Sequence, residues 1–201
     1  MSQTHRNVEI LVCADGLHDP DSRSVIASFS GFPVHNVGFD TRVGVHTNFA
    51  RGLRQAVAAS RDDADLFAFC DQDDVWHPMK LERQLACFAD TRTSLCHSDA
   101  QIVSRQGDVL VSSLFAHEGR SRAASFADLL IMNSVTGMTS LFRRDVAIAA
   151  QPFPMSGCRY ILHDHWIALA ASLLGNVAFI DEPLVDYTQH AGNVIGARQW
   201  S

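Results

Sequence analysis

Three carboxylates in four positions, Asp71, Asp73 and Asp74, stand in the stretch LFAFCDQDDVWHPMKLE directly after five mostly apolar residues, 66–70. At ~4 Å each pair of such charges repels by about 1 kcal/mol in bulk water and about 4 near a protein surface. A divalent cation removes that cost. Mg²⁺ or Mn²⁺ typically takes only one or two protein carboxylates and fills its remaining positions with water and substrate phosphates. A D-x-D turn therefore suits a cation that offsets the charge of a diphosphate, which a chain of net charge -6 would otherwise repel. The same residues also suit a solvated loop in which Asp74 helps to cap a helix beginning near Pro78, and a bare D-x-D does not choose between the two.

The elements that must carry these acids follow from the apolar pattern. VEILVCAD reads as a buried strand ending at Asp15–Gly16, a turn dipeptide. HTNFARGLRQAVAAS places Phe49, Leu53, Ala56 and Val57 at helical spacing. LFAFC is a second buried strand, and Pro78 opens a helix whose inner face is Leu81, Leu85 and Phe88. TSLCHSDAQIVSRQGDVLVSS predicts two strands around a turn at 106–108. FADLLIM predicts a short helix and GMTSLFRR a strand. Residues 164–174 predict a helix stopped by Gly175 at the C′ position, and VAFID and LVDYTQ predict closing strands around Pro183. Strands alternating with helices imply an α/β fold with a mostly parallel sheet, whose ligands collect beyond the carboxyl ends of the strands. Asp15 and the 71/73 pair stand at two such ends.

Length and composition (201 residues, 47% hydrophobic, 19% charged) imply one globular domain. The acidic balance excludes a sequence-independent nucleic-acid surface, which needs clustered Lys and Arg. Five cysteines without a C-x-x-C pair read as buried free thiols and predict a cytoplasmic chain. The apolar segment WIALAASLLGNVAF is too short to span a bilayer, although it leaves room for peripheral contact with the inner face of the cell membrane. His163 and His165 flank Asp164, yet H-x-H spacing without a nearby cysteine is poor for zinc.

The longer string FCDQDDVWHPMKLE resembles the signature of family 2 glycosyltransferases of GT-A fold, in particular their rhamnosyltransferase-like branch. GVHTNFARGLRQA resembles the helix before the D-x-D strand. HSDAQIVSRQG is similar to the family's S-D strand and turn, and NSVTGMTSLFRRDVA to its N-x-x-T-G-x-T acceptor-side segment. HDHWIALAASLLGNVAFIDEPLVDYTQHAGNVIG resembles the D-x-W helix and the closing Q-H-x-x-N segment.

The resemblance implies a metal-dependent, inverting transfer of a sugar, rhamnose among the candidates, from a nucleoside diphosphate donor to a glycan or lipid-linked glycan of a surface polysaccharide. It places Asp15 by the nucleotide base, Asp71 near the donor ribose and Asp73 on the Mg²⁺ or Mn²⁺ ion. It makes Asp164 the catalytic base and lets His190 reach the metal or diphosphate. On the acceptor side it implicates Thr136 and Gly137. Trp76 reads equally as a core residue or as a platform for a sugar face.

Two departures stand out. ADGL replaces the usual D-D-G-S, so Ala14 stands where the first acid belongs. The family also begins with a strand and helix ahead of the segment matched by QTHRNVEILV, and that strand lies between the two read here at 8–13 and 66–70. This first β-α unit is expected to be missing. Without it the two strands either pair directly or leave a groove that favours self-association, and a non-catalytic binding or partner module derived from a glycosyltransferase becomes the alternative reading.

Overall fold

The computed structural model describes residues 3–16, 24, 26–38, 40–122, 124–154 and 162–189. Within them, β1 (Ile10–Val12) pairs in parallel with β2 (Val34–Asn36) to form a two-stranded sheet. A six-stranded sheet has the order β3 (Leu66–Phe67), β7 (Ser140–Arg143), β5 (Thr93–Val103), β8 (Asn176–Thr188) and β4 (Val75–Trp76). In it β6 (Val109–Val111) adds to β5 off that path. The helices are α1 (Val45–Ala59), α2 (Lys80–Cys87), α3 (Leu114–Glu118), α4 (Phe126–Ile131), α5 (Arg144–Ala149) and α6 (His163–Leu174).

The α/β class holds, but the larger sheet is mixed rather than mostly parallel. Only β5 and β8 run parallel in it; β3–β7, β7–β5, β4–β8 and β5–β6 are antiparallel. Alternation of strands with helices gives parallel neighbours only if successive strands lie side by side. Here β7 inserts between β3 and β5, and the chain returns in β4 immediately after the acidic loop. Among the described residues β1 and β3 do not pair, so the direct pairing expected as one outcome is not seen.

The strand period of two sets the core. Phe67, Phe69, Leu95 and Phe142 face one side, against α1, α5 and α6 through Leu53, Val146, Ile167 and Ala168. Leu66, Ala68, Ala100, Ile102 and Leu141 face the other, against Leu81 of α2 and Leu114 of α3.

Several local expectations change. The two closing strands are one, β8, which continues through Pro183 with register shifts against β5. Gly175 ends α6 in extended backbone rather than a left-handed C′ turn. Its constraint is space, since a Cβ there would lie 2.3 Å from the Arg92 carbonyl oxygen. Of the cysteines read as buried, Cys96 is, Cys13 is half-buried and Cys70 is exposed.

Candidate active site

The acidic residues sit where β3 ends. β3 lies in the core on Phe67 and Phe69, so the chain emerges at Asp71 from a fixed base. It turns through residues 71–74 and re-enters as β4, whose pairing with β8 (Val75 with Asp186, Trp76 with Val185) fixes the far side of the turn. Asp74 also accepts the Thr188 backbone N–H at 3.2 Å. Both half-buried neighbours of Asp73 resist ionisation. Burial, then the charges of Asp73 and Asp164, push the Asp71 carboxyl up to about 6. Burial pushes Asp74 up to about 7, with Asp71 and Asp73 adding to it and the Thr188 amide opposing. Crowded carboxylates held in this way fit a divalent cation, whose charge would return them to the ionised state. Among the described residues no group of three His, Cys, Asp or Glu side chains is placed to hold a metal ion.

Asp164 reaches the same place from the opposite side of the fold, in the first turn of α6. It is near enough to raise the Asp71 carboxyl, so the candidate base and the donor-side acids face one site. Its own Oδ1 accepts the His165 N–H at 2.7 Å. The first turn of α6 is fixed by neighbours on both sides. The His163 ring stacks on Phe49 (centroids 4.1 Å apart) and meets Phe69 edge-on. Burial pushes its imidazole down to about 4, against a weaker opposing effect of Asp164, so it is neutral near pH 7. His165 Nε2 lies 2.6 Å from the Leu129 carbonyl; a carbonyl only accepts, so Nε2 carries the hydrogen. Both histidines are thus used in packing α6.

Gly137 makes that packing possible. A Cβ there would lie 2.8 Å from His163 Nε2 and 3.5 Å from the Asp164 Cβ. Thr136, its neighbour, accepts at Oγ1 from Arg120 Nη1 at 2.6 Å, and Arg120 is paired in turn with Glu118 at 2.7 Å. This places the T-G pair beside the candidate base.

Three of the residues singled out in the sequence stand apart from this group or outside it. Asp15 is spent on backbone: its two oxygens accept from Val43 N at 2.7 Å and Gly44 N at 2.8 Å, tying the end of β1 to the loop before α1. Trp76 is 8% exposed, with Lys80 Nζ 3.7 Å from the centre of its ring, so that face is taken by protein. His190 lies outside the described residues.

Sequence reasoning missed the partners that orient these groups. Phe49 and Phe69 read only as core. Asp99, buried in the S-D strand, accepts from Phe115 N and from the Ser113 hydroxyl, and so anchors α3. Lys80 and Gln84 are both fully buried, although their polarity reads as surface; the one signal was that Lys80 belongs to the W-x-P-x-K string.

The model for glycosyl transferase family 2 matches residues 1–149, about three quarters of the chain. The chain belongs to glycosyl transferase family 2. Within that family, a UDP-Glc:alpha-D-GlcNAc-diphosphoundecaprenol beta-1,3-glucosyltransferase of Escherichia coli, WfgD, is 30% identical over 112 residues, covering 54% of this chain and 40% of that protein. An uncharacterized glycosyltransferase of Nostoc sp., alr2836, is 25% identical over 205 residues, covering 96% of this chain and 59% of that protein. The chain therefore spans about half the length of these family 2 relatives. The fold is of GT-A type and is shared with residues 1–349 of S. aureus TarS. The TarS complex with UDP-GlcNAc gives a TM-score of 0.63 at 15% identity over 96% of this chain and 53% of that one. The complex with UDP gives 0.65 at 16% identity over 94% and 54%.

Proposed function

We propose that this chain carries the catalytic site of an inverting, cation-dependent glycosyltransferase that moves a sugar from a nucleoside diphosphate to a hydroxyl of a glycan or lipid-linked glycan. One observation carries the reading: Asp164, more than 90 positions along the chain from Asp71 and Asp73, lies near enough to Asp71 for its charge to raise that carboxyl together with burial and Asp73. Family membership supports it, as does the UDP-GlcNAc found in the TarS complex.

Inversion needs the leaving diphosphate on one face of the anomeric carbon and a deprotonated hydroxyl on the other. Asp73, with Asp71 beside it, would hold a Mg²⁺ or Mn²⁺ ion, whose positive charge would stabilise the departing diphosphate. Asp164 approaches from α6 and takes the acceptor proton at its carboxylate, a contribution typically of 10²–10⁴-fold. Neutral His163 puts no positive charge beside Asp164. On the acceptor side the half-buried Thr136 is the residue of this pair open to a substrate, with Gly137 buried beneath it against His163.

The lipid-linked class of acceptor is favoured by α4, which packs on α6 through the Leu129 carbonyl. There Leu130, Ile131 and Met132 are 59%, 88% and 48% exposed, an apolar run directly after the residue that meets His165 of α6. No described helix is long and apolar enough to cross a membrane. The WfgD relative, named for a diphosphoundecaprenol acceptor, makes that acceptor class and a UDP-sugar donor the first to try, ahead of rhamnose.

Calorimetry with UDP, dTDP and GDP, each with and without Mn²⁺, tests the donor side. Binding of one nucleotide that requires Mn²⁺ and disappears in Asp73→Asn, with the melting temperature kept or raised because a repelling charge is gone, is the expected result. An Asp73→Asn variant that unfolds would make this carboxylate structural. Mn²⁺-independent binding, or none with any nucleotide, would favour the non-catalytic module.

A further inference from the structure

The acidic loop and Asp164 belong to elements far apart in sequence, so something must keep them in register. Between them lies a buried polar chain that the transfer chemistry does not use. Lys80, the first residue of α2, has no exposed surface, and its Nζ lies 3.7 Å from the Trp76 ring centre. Trp76 is only two positions beyond Asp74. The same Nζ donates to Gln84 Oε1 at 2.8 Å. Gln84, also without exposure, donates through Nε2 to the Thr139 carbonyl at 2.6 Å and the Cys96 carbonyl at 3.2 Å.

Thr139 closes the 3-10 turn Gly137–Thr139 and donates back from N and Oγ1 to the Thr136 carbonyl, at 3.0 and 2.8 Å. Gly137, at the head of that turn, is the residue against which His163 and Asp164 pack. A continuous path of contacts therefore runs from the acidic loop through Trp76, Lys80, Gln84 and the Thr139 turn to the candidate base.

A buried lysine is an expensive core filler, and burial pushes its ammonium down to about 7. Ordinarily it is paired with a carboxylate, and an apolar side chain of similar length often serves stability as well or better. Here, among the described residues, an aromatic face and a neutral amide receive it. Both are directional, and both lead onward: one to the loop that bears Asp73, the other to the turn under Asp164. An apolar residue at position 80 would fill the same room but would neither orient Gln84 nor hold the ring face by cation–π attraction. Gln84 is equally specific, because only a side chain with both an acceptor and two donors can take Lys80 and two carbonyls at once.

We propose that Lys80 and Gln84 are positioning residues that hold the donor-side carboxylate loop in register with Asp164. The assignment rests on the transferase reading for its effect on turnover, whereas its structural half stands alone. Donor binding uses groups local to the loop, which β4–β8 pairing and the Thr188 amide fix independently. Loss of the chain should thus be felt in alignment for chemistry, not in capture of the nucleotide.

The experiment compares wild type with Lys80→Met and Gln84→Leu, both near the original volume. Three quantities are measured: the melting temperature, Mn²⁺-dependent UDP affinity, and turnover of UDP-glucose with water or an added acceptor. Amide exchange at residues 137–140 is followed alongside. Expected in both variants are a melting temperature within a few degrees of wild type and UDP affinity within threefold. Exchange at 137–140 should be at least tenfold faster, and turnover at saturating donor tenfold or more lower. Gln84→Glu, which keeps the acceptor for Lys80 but loses the donors to Thr139 and Cys96, should behave like Gln84→Leu. Unchanged exchange at 137–140 in a folded Lys80→Met protein overturns the proposal whether or not any donor turns over. Unchanged turnover in an active background overturns it as well. A wild type without turnover, together with faster exchange in the variants, keeps the structural link and sinks the transferase reading instead.

Discussion

The two sheets build the site by different means. In the larger one, β5 and β8 contribute 11 and 13 residues, and β5 is buried along nearly its whole length. The groups that bear on Asp164, namely Phe69, Phe142, His163 and Ile167, belong to one closely packed cluster or touch it. In the smaller sheet β1 and β2 have three residues each, half-buried at best. What holds Asp15 there is a set of hydrogen bonds to the loop before α1, together with the Asn48 amide on the Cys13 carbonyl at 2.8 Å. Close contact adds to it where Gly52 of α1 leaves no room for a Cβ beside Cys13 Sγ. Position is set by packing in the first region and mainly by polar anchors in the second. Substitutions should therefore act on chemistry and core stability in one, and on loop geometry in the other.

The largest effect expected from this contrast is at Asp164. Asp164→Asn keeps the side-chain oxygen that accepts the His165 N–H, so α6 should stay in place. Turnover should fall by two or more orders of magnitude, as for a lost general base, with Mn²⁺-dependent nucleotide affinity nearly unchanged. Equal losses in affinity and turnover would show that Asp164 mainly organises the helix start, and that packing alone does not set its position.

Both regions were unequally legible in the sequence. The site acids could be read because they interrupt apolar strands: Asp15, Asp71 and Asp73 all stand where a strand was expected to end, and the first turn of α6 was expected at Asp164. The helix-flanked architecture followed from the same pattern. Pairing partners could not be read, since β7 inserts antiparallel between β3 and β5 through contacts more than 40 positions apart, which local periodicity does not encode. β2, with exposed His35 and Asn36, has no apolar run to announce it. The ring stacking on His163 and the burial of Lys80 were hidden for the opposite reason: a polar residue type reads as surface until its partners are known.

A smaller effect, on stability alone, probes the packed region from within. His97 on β5 lies between Phe115 and Phe179, and burial, with Arg120 nearby, pushes its imidazole down to about 3. A folded-state value below the unfolded one means that the unfolded chain binds the proton more readily. Above pH 6.5 the ring is neutral in both states and its titration does not affect stability, which is lost progressively as pH falls below that value. Asp71 and Asp74 act in the opposite sense: their raised carboxyls bind protons more readily in the fold, so their share of stability grows as pH falls from about 7 towards 4. A difference measurement separates them. Between pH 7 and 4.5 wild type should lose about 2 kcal/mol relative to His97→Leu, read as a gap in denaturant midpoint that closes or reverses with acid. A gap that stays constant would mean that His97 is protonated in the fold and has a polar partner.

The smallest effect is expected in the smaller sheet, at Asp15. The carboxylate offers one oxygen to each of two backbone N–H groups, whereas Asp15→Asn keeps one acceptor and turns an NH₂ donor towards the other amide. The cost should be about 1–2 kcal/mol, that of one charge-assisted bond left unmade. The freed amide belongs to Val43 or Gly44. Gly44 holds φ +84° at the start of α1, so the change should appear as faster amide exchange around residues 41–45, with residues 93–103 of β5 unaffected. Nucleotide binding then decides what Asp15 does. If it serves only to hold this loop, affinity should fall no more than severalfold, and Asp15→Ala, which loses both acceptors, should show a larger loss of loop protection. If its carboxylate also meets the nucleotide base, Asp15→Asn should change the preference among UDP, dTDP and GDP while the loop stays protected. The first outcome follows from the geometry, because both oxygens are already engaged.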